Sequence, residues 1–266
     1  MNNLFRKNYN LLRKYNYNIS NLRTISTLIP WKKQKNLKQK LIVSANGSFL
    51  YTKDEKIIDF TAGAMVVNLG HNNKYIHQAF NNHKERGIAY VPSNFDNYER
   101  DKLSERLLSI ANMENGKVLF CNAGADANEM ASFISKEYHN YTNSDLKKNR
   151  VLSFEKSFHG GSTIAASLLS GDKRRIQKEK YYKLNFEPIL QNPKLEDNGK
   201  ESVINIEKII NENNNISSLL LEGSSGSAGC ILYPDNYLKT LKEKCDEKNI
   251  LIICDEVMSG FGRTGT

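Results

Sequence analysis

Four stretches of this chain place side chains capable of chemistry directly behind a run of apolar residues. In the first, Ile250-Leu251-Ile252-Ile253-Cys254 leads into Asp255-Glu256-Val257-Met258-Ser259-Gly260-Phe261-Gly262-Arg263-Thr264-Gly265. A carboxylate that follows five apolar residues is costly if buried alone, so Asp255 calls for a cationic partner, and a protonated ring nitrogen is one. In the second, Glu222 follows Leu219-Leu220-Leu221 and precedes a Gly/Ser loop. It is a candidate substrate contact, although a flexible loop with one exposed Glu fits the same residues. In the third, Phe158-His159-Gly160-Gly161 follows the apolar run 151–154, setting a flat ring beside a backbone that a ligand can approach closely. A core Phe and an ordinary satisfied His fit it too. In the fourth, Gly124 and Ala125 open a helical pattern behind 118–121. Free backbone N–H groups and the positive end of a helix dipole suit a phosphate, but an N-cap turn has the same composition, and the motif is neither a P-loop nor GxGxxG.

The elements that must hold these residues follow from periodicity. Helical spacing is expected over 74–86, 97–111, 126–139, 203–214 and 235–248, the last with Leu238, Leu241 and Cys245 on one side. Between them, 118–121, 151–154, 218–221 and 250–254 read as strands buried on both faces. Strands alternating with helices imply a parallel α/β sheet, in which ligands sit outside the carboxyl ends of the strands. Apolar runs near 41–43, 48–51 and 57–60, parted by an Asn46-Gly47 turn and a turn at 53–56, predict a small antiparallel meander. Residues 178–201 read as a solvated connection.

The chain has 266 residues, 39% hydrophobic and 25% charged, and no apolar run approaches the roughly 20 residues of a membrane-spanning helix. Its net charge of +9 is unevenly spread: residues 1–53 hold eleven Lys and Arg and no Asp or Glu, so the rest is slightly acidic. Within 1–27, Arg6, Lys7, Arg13, Lys14 and Arg23 are scattered among Leu, Ile, Phe and Tyr without a continuous apolar stretch. That pattern predicts a mitochondrial transit peptide and a matrix location, with a merely basic arm as the alternative. A nucleic-acid role would need support from the body of the chain, and none is found there. Cys121, Cys230, Cys245 and Cys254 lack metal-ligand spacing, and Cys121 and Cys254 are expected as buried free thiols.

ILIICDEVMSGFGRTG at 250–265 resembles the signature of class III aminotransferases, pyridoxal 5′-phosphate (PLP) enzymes of fold type I. VNLGHNN at 67–73, CNAGADANE at 121–129 and SFHGGS at 157–162 resemble further motifs of that family, in family order. The resemblance implies a mostly parallel large-domain sheet with helices on both faces, behind a small antiparallel β segment. Behind the leader at 1–27, it divides the chain into a segment at 28–73 and a PLP-binding large domain at 74–266 that is incomplete at its C-terminal end.

Carried over by position, the resemblance makes Asp255 the partner of the pyridine nitrogen. Phe158 becomes the ring-stacking aromatic, beside His159, and Val257 the residue packing the other ring face. Gly124 and Ala125 become the phosphate donors, although Ala125 lacks the hydroxyl often found there. Glu222 falls near the cofactor and the substrate, with Gly223 replacing the usual Pro, and Trp31 resembles a wall of the substrate pocket. The implied reaction moves an amino group from an amine or ω-amino acid to pyruvate or a similar 2-oxo acid, the look being nearest to ω-amino acid and taurine:pyruvate enzymes. The implied assembly is a homodimer at full length, with no nucleic-acid or membrane partner. The family's Schiff-base Lys lies roughly 30 residues beyond the segment matching Asp255, and no Lys follows Asp255 here. The expectation is therefore a truncated chain, inactive alone. Its alternatives are a non-catalytic remnant and an ornithine- or 4-aminobutyrate-type enzyme.

Overall fold

The computed structural model describes residues 39–92, 94–142, 148–171 and 189–265. The chain divides into two units, Met1–Leu103 and Ser104–Thr266. Trp31 and the leader at 1–27 lie outside the described residues.

In the first unit, β1 (Ser44–Asn46), β2 (Phe49–Tyr51) and β3 (Lys56–Ile58) form the expected antiparallel meander. Asn46 pairs with Phe49, leaving a two-residue loop in which Gly47 takes φ +55°, a conformation that glycine adopts without steric cost. The first strand lies a few residues later than the apolar run 41–43. Helix α1 (Lys74–Glu85) starts where Asn73 accepts hydrogen bonds from the N–H groups of Tyr75 and Ile76. Helix α2 (Tyr98–Ile110) follows and contains the boundary between Leu103 and Ser104, with Asn97 capping the N–H of Arg100 at 2.9 Å.

The second unit carries the parallel sheet. Its strands β4 (Arg150–Phe154), β5 (Ile189–Leu190), β6 (Ile216–Glu222) and β7 (Leu251–Asp255) lie in the order β5-β4-β6-β7, every pairing parallel. Helices α3 (Gly124–Thr142), α4 (Ile164–Leu169), α5 (Lys200–Glu212) and α6 (Tyr237–Glu247) connect and cover it. The main core joins Leu152, Phe154, Leu219 and Leu221 of the sheet to Ile206 and Ile210 of α5 and to Tyr237, Leu241 and Cys245 of α6. Truncating one of these buried leucines to Ala would cost about 2–5 kcal/mol, so this face anchors the strand ends.

Four expectations are corrected. Residues 118–121 form no strand: Leu119 is 57% and Phe120 44% exposed, and Cys121 is exposed. An apolar run becomes a strand only beside a ladder partner, and none lies alongside it among the described residues. Cys254 is likewise exposed, because β7 ends the strand order among the described residues and its outer positions are only partly covered. The supposed connection at 178–201 contains β5, whose Leu190 is fully buried. On α6 the buried stripe is Tyr237, Leu241 and Cys245, while Leu238 faces outward.

Helix α3 departs from the usual apolar rule. Its buried positions are Ala125, Asn128, Ser132, Ser135 and His139, a mostly polar stripe at helical spacing. Ser135 Oγ lies 2.9 Å from Ser218 Oγ, and His139 Nε2 donates to Ser217 O at 2.9 Å, so the stripe docks on β6 through hydrogen bonds.

Candidate active site

The carboxyl ends of β4, β6 and β7 and the start of α3 meet around two carboxylates. Glu222 and Asp255, the last residues of β6 and β7, are register partners and both are buried. Asp255 Oδ2 accepts a hydrogen bond from His159 Nδ1 at 2.8 Å and another from Asn128 Nδ2 at 2.7 Å, while Oδ1 accepts the N–H of Val257 at 3.1 Å. Burial works to raise its pKa. The hydrogen bond and attraction from His159, with the Val257 N–H and the Asn128 amide, outweigh it and hold Asp255 below the ordinary aspartate value.

Glu222 behaves in the opposite way. Burial pushes its pKa up, and the hydrogen bond from Ser225 Oγ to Oε2 at 2.6 Å offsets this only in part. The backbone N–H of Phe158 also donates to it. Behind the strand end, Tyr233 Oη donates to Glu222 O at 2.8 Å and stacks on Tyr237 with ring centroids 5.6 Å apart. The reading of Glu222 as an exposed loop residue is thereby excluded.

Close backbone approach closes the site. A Cβ on Gly160, whose φ is +139°, would fall 2.6 Å from Ala125 Cβ and 2.7 Å from Ala166 Cβ. A Cβ on Gly124 would fall 2.6 Å from Val257 Cγ2. The loop carrying Phe158 and His159, the start of α3 and the segment after β7 therefore lie within contact distance of one another. Val257 itself is 67% exposed, and Phe158 is half-buried. The first N–H groups of α3, from Gly124 onward, precede the helix's own hydrogen bonding, which begins with Ala127 N to Ala123 O at 3.0 Å. The arrangement offers an anion site at a helix start, a fixed carboxylate for a cationic nitrogen, and a second buried carboxyl beside it.

Gly124, Ala125, Phe158, His159, Glu222, Asp255 and Val257 thus all belong to one region of one unit. Sequence reasoning assigned no role to Asn128, Ser225 or Tyr233. None stood out by local pattern: Asn128 lies in phase with Ser132, Ser135 and His139 on the buried side of α3, a stripe without apolar periodicity.

Residues 32–266 match the family described as aminotransferase class-III. The acetylornithine aminotransferase of Oceanobacillus iheyensis is 33% identical over 229 residues, which cover 83% of this chain and 51% of that protein. The adenosylmethionine-8-amino-7-oxononanoate aminotransferase of Staphylococcus aureus is 28% identical over 246 residues, covering 85% and 52%. Among solved structures, the taurine:2-oxoglutarate aminotransferase of Bifidobacterium kashiwanohense, in complex with PLP and glutamate, superposes with a TM-score of 0.83 at 27% identity over 93% of this chain and 57% of that one. A PLP-bound amine transaminase from an uncultivated Pseudomonas species shares the fold, with a TM-score of 0.81 at 24% identity over 91% and 58%. The chain spans about half the length of the curated relatives it matches.

Proposed function

This chain belongs to the class III aminotransferases, and we propose that it binds PLP and serves the transfer of an amino group from an amine or ω-amino acid to pyruvate or a similar 2-oxo acid. The observation that carries the reading is Asp255, a buried carboxylate kept ionised by three donors at a sheet end that also presents a helix N-terminus.

The residues fit the cofactor by their own chemistry. A carboxylate has about four acceptor sites, and Asp255 uses three on protein donors, which leaves Oδ1 able to take a ring N–H. The Gly124 and Ala125 N–H groups would hold the phosphate, and Phe158 and Val257 would line the ring. When bound, PLP supplies an electron sink for the carbon that bears the amine. Asp255, its own pKa held low, would pair as a carboxylate with a protonated ring nitrogen. Glu222, raised by burial and by the neighbouring Asp255 charge and gripped by Ser225, stands beside it as a second carboxyl. Gly160 admits the loop against Ala125 at the start of the helix.

The donor class is supported from two sides. The taurine and acetylornithine enzymes among the relatives are both named for substrates with an amine at the far end of the chain from an acid group. The test is saturable PLP binding to the purified chain, compared with Asp255→Ala, and, in a chain extended to the length of its relatives, amino transfer from taurine, β-alanine and acetylornithine to pyruvate or 2-oxoglutarate. PLP binding that is equal in wild type and Asp255→Ala would sink the reading. A matrix location belongs to the same proposal, supported by the basic, acid-free stretch 1–27. A reporter fused behind residues 1–27 should enter mitochondria, and a diffuse cytosolic signal would refute it. Homodimer assembly is tested by sedimentation.

A further inference from the structure

We infer that Asn128 is a positioning residue for Asp255, an assignment that rests on the PLP reading for its purpose though not for its geometry. Asn128 lies one turn into α3 with its side chain buried. Its Nδ2 donates to Asp255 Oδ2 at 2.7 Å and to His159 O at 3.0 Å. An ionised carboxylate and a carbonyl are both acceptors only, so the amide nitrogen, not the oxygen, must face them, and each of its two hydrogens has one partner.

A single NH₂ group therefore ties together the three segments that build the site: the helix that opens at Gly124, the loop carrying Phe158 and His159, and the end of β7. The two donors on Oδ2, Asn128 and His159, fix the rotation of the carboxylate, while Val257 N–H takes one position on Oδ1. Asn128 thus determines which oxygen of Asp255 retains free acceptor capacity. The ionisable groups facing Asp255 are His159, from the loop after β4, and Glu222, from β6. Asn128 adds a donor without adding charge, so it favours the carboxylate without competing for the cation.

Two replacements separate this role from space-filling. Asn128→Leu keeps the branching and the number of heavy atoms and removes the donor; Asn128→Asp keeps the shape and turns the donor into an acceptor aimed at two acceptors. Circular dichroism and thermal melting establish that each variant folds. The first readout is the Asp255 side-chain carboxyl ¹³C shift against pH in the ligand-free full chain. We expect its midpoint to rise by about one unit in Asn128→Leu and further in Asn128→Asp, as befits the loss of a hydrogen bond to a charged acceptor. The second readout is affinity for pyridoxamine 5′-phosphate, expected to fall about tenfold or more, with affinity for inorganic phosphate unchanged. An Asp255 midpoint that does not move in a folded Asn128→Leu chain overturns the assignment, as does an equal loss of inorganic phosphate, which would mean that Asn128 merely supports the helix. If wild type fails to take up pyridoxamine 5′-phosphate, the PLP reading falls, and the Asp255 midpoint still decides the role of Asn128.

Discussion

Glu222 and Asp255 are neighbours in register at the ends of β6 and β7, yet their environments drive their protonation in opposite directions. The difference lies in the donors. Asp255 collects His159, Asn128 and a backbone N–H, enough to outweigh burial, whereas Glu222 has Ser225 and one backbone N–H, and burial wins. Two carboxyls side by side with separated pKa values can hold different charges at one pH, which is how acid and base roles are divided in a single site.

Glu222 should make the fold less stable as pH rises. Its folded pKa is raised, so the native chain holds this proton to higher pH than the unfolded chain does. Stability is lost as pH climbs from the ordinary glutamate value to the raised one, and the loss persists above it. Glu222→Gln should remove that fall and be more stable than wild type at pH 8, with little difference at pH 4. Urea unfolding at both pH values measures this, and parallel profiles for the two chains would refute it.

Asp255 has the opposite sign. Its folded pKa is depressed, so its contribution is present above the unfolded aspartate value and disappears as pH falls through the folded one. Asp255→Ala leaves His159 Nδ1–H and the Asn128 amide without their buried acceptor, and should cost about 3–5 kcal/mol at neutral pH. Asp255→Asn, which keeps an acceptor oxygen, should lose less. Chemical denaturation at pH 7 orders the three chains, and a loss for Ala no greater than for Asn would count against the network.

The strands that carry this site were legible because 151–154, 218–221 and 250–254 are apolar runs ending at a polar residue, and Asp255 stood out by its place behind such a run. The same logic misplaced 118–121, because hydropathy records a wish to be buried and not the presence of a ladder partner. Helix α3 shows the converse. Its buried stripe of Asn128, Ser132, Ser135 and His139 has no apolar periodicity, so the sequence offered no sign that this side faces the sheet. The hydrogen bond from Asn128 to Asp255 joins residues 127 positions apart, a relation that local pattern does not contain.

Gly160→Ala tests how tightly the loop and helix must meet. The new methyl would overlap both Ala125 and Ala166, at a φ of +139° that side chains rarely adopt. Overpacking of this kind typically costs about 1–3 kcal/mol, with backbone strain in addition. The loop must move away from the start of α3, so PLP affinity should fall more than stability does. Paired melting and PLP titration read both, and unchanged affinity in a folded variant would show that the contact is dispensable.

His139 should make the chain acid-sensitive far from the two carboxylates. Its Nε2 lies 2.9 Å from Ser217 O, and a carbonyl only accepts, so the neutral ring carries its proton on Nε2. That leaves Nδ1 buried without a hydrogen-bond partner among the described residues. Protonation would place an unsatisfied N–H and a charge in the seam between α3 and β6, near the ammonium of Lys148, which is itself held by the carbonyls of Lys248 and Asn249 at 2.6 and 2.7 Å. Burial and repulsion by Lys148 outweigh the hydrogen bond to Ser217, which works to raise it, and leave the pKa of His139 lowered. The unfolded chain therefore takes up this proton as pH drops through about 6.5 while the folded chain resists, and stability falls with a limiting slope of about 1.4 kcal/mol per pH unit. His139→Gln keeps a donor for Ser217 O and cannot titrate, so its unfolding free energy should lack that component between pH 6.5 and 5. Equal slopes for wild type and His139→Gln over that interval would assign the acid lability to another group.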